Sequence, residues 1–229
     1  MPRRTALDRP PSARVQQSLS RERLLVAAIA LADRDGIESL SMRKLAQQLG
    51  FDPMSLYNHV RSKEDLLDGI ADTVVGEIRP TILDADWKAS MRQTILEARG
   101  TLLRHPWAPT VIESRREPGP ATMRYVDTVV GILRRGGFSV ALAHHALHVM
   151  GSRILGFSQD LWDDGNVRLD PEAAEQMARS LDAAFPNLAE LARTASHDGG
   201  LGGCDDDTEF VFALDLILDG LDRLRYGQA

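Results

Sequence analysis

The chain has 229 residues, with 27 Lys/Arg against 33 Asp/Glu for a net charge of −6. That length can bury a real core in one or two domains, whereas no run approaches the roughly 18 apolar residues that span a bilayer. A single cysteine, Cys204, excludes an internal disulfide and suits a reducing cytoplasm. The charge is uneven: residues 1–63 carry eleven Lys/Arg and six Asp/Glu, and the rest carry sixteen and twenty-seven. A basic N-terminal part can offer a local patch for a polyanion without a basic protein, and an acidic remainder would repel such a partner from the other surfaces.

In chain order, residues 1–19 are polar, contain Pro10-Pro11 and lack the apolar segment of a secretory signal, so a flexible arm is expected. Ser20 caps a first helix over 20–35, with Leu24, Ala28, Leu31 and Ala32 on its core face. Ser41 caps a second helix, in which Leu45 and Leu49 stack one turn apart with Ala46 beside them. Gly50 fits the left-handed position that closes it, and Pro53 suits the first turn of a third helix. There Leu56 and Val60 point to the core and leave Ser55, Tyr57, Asn58 and His59 free. A short polar helix held at an angle by its neighbour, flanked by Arg43, Lys44, Arg61 and Lys63, is what a reader of the major groove needs.

These residues resemble the DNA-binding domain of the tetracycline-repressor (TetR) family over 20–78. The resemblance rests on Gly36, the Arg-Lys-Leu-Ala run at 43–46, Leu49-Gly50, and Leu56-Tyr57. It continues through His59-Val60 and Lys63 ahead of Asp65-Leu66-Leu67. It implies an all-α protein: a three-helix helix-turn-helix domain over 20–66, then a ligand-binding and dimerisation domain over 67–229. It also implies that Arg43, Ser55, Tyr57, Asn58, His59 and Lys63 lie at DNA, with Lys44 beside them. By their chemistry Arg43 can pair with guanine O6 and N7, while Tyr57, His59 and Lys63 suit phosphates.

Helices are then expected over 63–78, 87–104, 107–114, 120–135, 140–162, 171–184 and 207–226, with Pro80 and Gly136-Gly137 as breaks and 196–206 as a loop. The last helix repeats Phe210, Leu214, Ile217, Leu221 and Leu224 at helical spacing. The helix from 140 carries Leu147, Met150, Ile154 and Leu161, with small Gly151 and Gly156. Such broad apolar faces suggest burial between subunits. The family resemblance implies a homodimer held by a four-helix bundle of these two helices, with Leu147, Ile154, Leu214, Ile217 and Leu221 at the interface. A two-fold dimer also doubles the few base pairs that one short helix can read.

The resemblance implies a small-molecule effector in the C-terminal domain. Trp107, Ile112, Met123, His148 and Phe157 are expected to line its pocket, with Asp160 and His148 as polar anchors. Family members that bind tetracycline hold its magnesium through a histidine on the sixth helix; here that region has Val111 and Ile112, so tetracycline is not the expected inducer. His144 and His148 stand one turn apart, next to His145, but no third ligand is evident and no metal or cofactor is expected. Two readings rival this one: a helical interaction protein that kept the motif but lost DNA binding, and an enzyme in an all-helical fold. Ser114 and Ser152 lack the glycines of a nucleophile elbow, and no phosphate-cradling motif occurs. The expected function is a cytoplasmic repressor that leaves its operator DNA when it binds a small hydrophobic molecule, with no membrane partner.

Overall fold

A computed structural model describes residues 18–83, 86–156, 171–195 and 206–226, and among them all regular structure is helical. The helices are α1 (Arg21–Asp35), α2 (Met42–Leu49), α3 (Pro53–Leu56), α4 (Lys63–Val75), α5 (Trp87–Arg104) and α6 (Ala108–Ser114). They continue with α7 (Pro120–Arg135), α8 (Val140–Gly156), α9 (Pro171–Leu181), α10 (Pro186–Ala195) and α11 (Asp206–Tyr226). The backbone forms two compact units, 1–66 and 67–229, and the division falls within α4.

The first unit is built by local rules. The Ser20 hydroxyl accepts the Arg23 N–H, the Ser41 hydroxyl accepts that of Lys44, and the Asp52 carboxylate accepts that of Met54, so each of the first three helices starts on a side-chain cap. Gly50 ends α2 at φ 75°, ψ 30°, where a Cβ would be strained, and turns the chain into α3. Leu24, Ala28, Leu45, Leu56, Val60 and Leu66 are buried together as the small core under these turns. Burying each such leucine contributes about 1.5–3 kcal/mol.

In the second unit α5, α7, α8 and α11 pack around Trp87, Met91, Ile95, Ile132, Leu133, Phe138, Met150, Leu214 and Leu218. Trp87 and Phe138 meet edge to face at 4.6 Å, and Gly136 lies so close to the Trp87 side chain that a Cβ there would collide with it. Along the outside, α5 and α11 are laced by Lys88 to Asp219, Arg92 to Asp215 at 2.8 Å and Arg99 to Asp207. These pairs are largely solvated and set register more than stability.

Several boundaries differ from the sequence expectation. The helix expected over 63–78 stops at Val75; Gly76 follows, and Glu77 and Ile78 bond three residues back in a tightened turn. The helix expected over 171–184 ends at Leu181, whose carbonyl takes the N–H of both Ala184 and Phe185. A helix that was not expected, α10, begins at Pro186 and packs on α9. The proposed arm at 1–19 (all but its last two residues), Cys204, Phe157, Asp160 and the end of the helix expected to reach 162 lie outside the described residues.

Candidate nucleic-acid interface and effector cavity

In the first unit, α3 is only four residues long and continues as a turn through Tyr57, Asn58 and His59. Long-range bonds hold that turn. Arg21 Nη1 donates to the His59 carbonyl at 2.8 Å, and Arg21 Nη2 pairs with Asp65 Oδ1 at 2.8 Å. The Arg61 N–H donates to Asp65 Oδ2 at 2.8 Å, and the Asp65 N–H donates to the Ser62 hydroxyl, which caps α4. Asp65 therefore joins α1, the turn and the start of α4. The Arg21 guanidinium, aided by the Arg61 N–H, lowers its carboxyl from 3.8 to about 2.

This scaffold leaves the expected DNA residues outward. Arg43, Lys44, Tyr57, Asn58 and Lys63 are exposed, and Ser55 and His59 are half-buried. One exposed side chain escaped the sequence reading: Met54 in α3 is 72% exposed, an apolar group among polar ones. Its position opposite Leu56 in a helix with a polar outer face was the available signal.

In the second unit a cavity of about 330 Å³ lies between α4, α5, α6, α7 and α8. Val75 and Ile78 contribute from α4 and the turn after it, Ile112 from α6, Tyr125 from α7, and Leu147 and His148 from α8. No charged side chain lines it among the described residues. Two of the expected pocket residues, Ile112 and His148, are brought together here. Trp107 is buried elsewhere, beside His105, and Met123 is 54% exposed on α7, one turn position away from the inward Thr122 and Tyr125. Sequence reading missed Tyr125, because a cavity wall is set by which helices meet rather than by spacing along one.

The expected subunit-contact residues also divide. Leu214 and Leu221 are 1% and 6% exposed and belong to the core of their own chain, with Ile217 packed against it, because α11 turns that stripe toward α5 and α8. Leu147 lines the cavity, and the side chain of Ile154 is outside the described residues. Among the described residues, the large apolar side chains that α8 and α11 leave outward are Val140, Val149, Phe212, Leu216, Leu224 and Tyr226. His144 and His148 stack edge to face at 4.6 Å, and among the described residues no group of three His, Cys, Asp or Glu is placed to hold a metal. No helix among them is long and apolar enough to cross a membrane.

A second device sits beside the cavity. Asp72 of α4 accepts the N–H groups of Ala121 and Thr122, at 3.1 and 3.0 Å, and the Thr122 hydroxyl at 3.2 Å. A carboxylate from one helix thus caps the N-terminus of another. Gly119 makes room, since a Cβ there would overlap that carboxylate. Asp68, one turn earlier, pairs with Arg115 at 3.0 Å just past the end of α6.

A basic, capped helix-turn-helix followed by a helical domain with an apolar cavity defines a class of gene regulators. Comparison with known proteins agrees. Residues 24–70 match the family of bacterial regulatory proteins of the TetR type, and residues 80–225 match the tetracycline-repressor-like C-terminal domain. An HTH-type transcriptional regulator of Saccharopolyspora erythraea is 32% identical over 179 residues, covering 77% of this chain and 76% of its own. The HTH-type transcriptional repressor DrrR1 of Streptomyces coeruleorubidus is 30% identical over 229 residues, covering 94% and 82%. The TetR-family protein ActR of Streptomyces coelicolor, solved in complex with actinorhodin, superposes with a TM-score of 0.71 at 27% identity over 90% of this chain and 97% of its own. The chain belongs to the TetR family: it is a ligand-responsive DNA-binding transcriptional regulator.

Proposed function

We propose that this regulator is a homodimeric repressor, acting in the cytoplasm by binding alone, that leaves its operator when a small, mostly apolar molecule enters the α4–α8 cavity. The observation that carries this reading is the position of the cavity wall: it includes Val75 at the end of α4 and Ile78 in the turn after it, and the first turn of α4 holds Asp65 and so the reading turn. A ligand that favours one placement of α4 shifts the DNA-binding equilibrium by its differential affinity for the two states. ActR, solved in complex with actinorhodin, supports a small-molecule effector for a protein of this fold. Arg43 and Asn58 read bases, Met54 packs on a thymine methyl, and Lys44, Tyr57, His59 and Lys63 hold phosphates. Val149, Phe212 and Leu216 face the second subunit.

The test starts by selecting bound DNA from a random pool and titrating the chosen operator at several salt concentrations. Lys63→Ala weakens all sequences alike and lowers the salt slope by about one. Asn58→Ala and Arg43→Ala change the base preference, each base contact being worth about 1–3 kcal/mol. An unchanged preference with both substituted would sink the base-reading assignment.

A further inference from the structure

Tyr125 lines the cavity described above, and the state of its hydroxyl points to a ligand. Tyr125 Oη is buried and, among the described residues, has no hydrogen-bond partner. The other polar side chains of the wall are engaged: the Thr122 hydroxyl bonds Asp72, and the His148 ring packs against His144. A buried hydroxyl is normally paired, and one left unpaired costs free energy that a partner returns. Burial also pushes the Tyr125 phenol above its ordinary range, so it stays a neutral O–H at any working pH. A phenol is a stronger donor than acceptor, so the partner it lacks is an acceptor such as a carbonyl oxygen.

The rest of the wall restricts the remainder of the molecule. With no charged side chain facing the cavity among the described residues, an ionised ligand would lose its hydration without compensation. An apolar cavity of roughly 150 Å³ takes benzene. A cavity of about 330 Å³ therefore has room for two to three rings.

We propose that Tyr125 is the specificity-determining anchor of the effector site, and that the effector is a neutral molecule of two or three rings whose carbonyl-type oxygen accepts the Tyr125 O–H. This rests on the reading of the cavity as the effector site.

The test uses a matched pair of probes, 9-fluorenone and fluorene, which share three flat rings and differ by one carbonyl. Both are titrated calorimetrically into the full-length protein and into Tyr125→Phe, which removes only the hydroxyl. Comparing the fluorenone-to-fluorene affinity ratio in the two proteins cancels the difference in their hydrophobicity. The expected result is a ratio roughly tenfold higher in the native protein than in Tyr125→Phe, the size of one buried hydrogen bond. The fluorenone carbonyl stretch moves to lower frequency on the native protein and not on the variant. Equal ratios in both proteins overturn the anchor and leave the cavity as effector site. Failure of both compounds to bind both proteins overturns the cavity reading and the anchor with it.

Discussion

The two units of this regulator are held together by different means. In the first, the decisive contacts are hydrogen bonds at helix ends: Ser20, Ser41, Asp52 and Ser62 each cap a helix, and Asp65 ties the reading turn to α1. Its core is small, and its outward face is basic and polar. In the second, a large apolar core around Trp87 and Phe138 does most of the holding, and polar groups enter at a few places such as Asp72. The difference follows from the tasks. A DNA reader must hold a few side chains in fixed directions, which short directional bonds do well. A ligand receptor must keep apolar space open and remain able to shift, which undirected burial permits.

This comparison can be broken most sharply on α11. Leu221→Glu buries an unpaired carboxylate at a 6% exposed core position. It should cost more than the roughly 2–5 kcal/mol of a core Leu→Ala change and unfold the second unit, visible as loss of helical signal well below the native melting temperature. Leu216→Glu lies on the outward face of the same helix, at 57% exposure. It should leave the melting transition of the subunit intact while sedimentation shows monomers with weakened operator binding. Identical behaviour of the two variants would mean that α11 has no distinction between core and interface faces.

A middle-sized effect is expected at Asp72. Asp72→Ala removes the carboxylate that satisfies the first N–H groups of α7, at a cost of about 1–2 kcal/mol. Thermal unfolding should show it as a lower midpoint for the second unit. A midpoint equal to the native one would remove the cap from the account. Asp72→Asn keeps one acceptor and should recover part of the loss.

The smallest effect is the pH response of the first unit. Asp65 has a carboxyl depressed from 3.8 to about 2 in the folded state. A depressed carboxyl stabilises above its unfolded value, and that contribution is lost as pH falls from about 4 through about 2. Since Arg21 is 39% exposed, solvent reduces the contribution to about 1 kcal/mol. Asp65→Asn should lower stability by that amount at pH 7 and flatten the loss between pH 4 and 2 in acid titrations of the isolated transition. A variant with the native acid profile would show that other carboxylates dominate.

The sequence made the first unit far more legible than the second, for a physical reason. Caps and turns are local: Ser41, Gly50 and Pro53 declare α2 and α3 within a dozen residues. The Asp65–Arg21 pair joins residues 44 apart and left no local signal. In the second unit, the start of α10 at Pro186 reads equally well as a break, because proline both ends a helix and opens one. On α11 the apolar repeat was visible, but which side faces α5 and α8 depends on packing, so core Leu214 and Leu221 were indistinguishable from outward Leu216. Tyr125 was hidden for the same reason: only five helices brought together make it a cavity residue.

The central claim, that occupancy of the cavity controls DNA binding, has a direct test. Gly151 lines the cavity from α8, and nothing lies within 4 Å of where its Cβ would be. Gly151→Phe should therefore fill the space without disturbing the fold. The measurement is fluorescence anisotropy of the selected operator with the native protein and with this variant, during titration by a panel of neutral two- and three-ring carbonyl compounds. The account predicts that compounds which bind the native protein release its DNA, and that the same compounds leave the DNA affinity of Gly151→Phe unchanged. Compounds that occupy the native cavity without altering operator affinity, or that release DNA equally from Gly151→Phe, would contradict it.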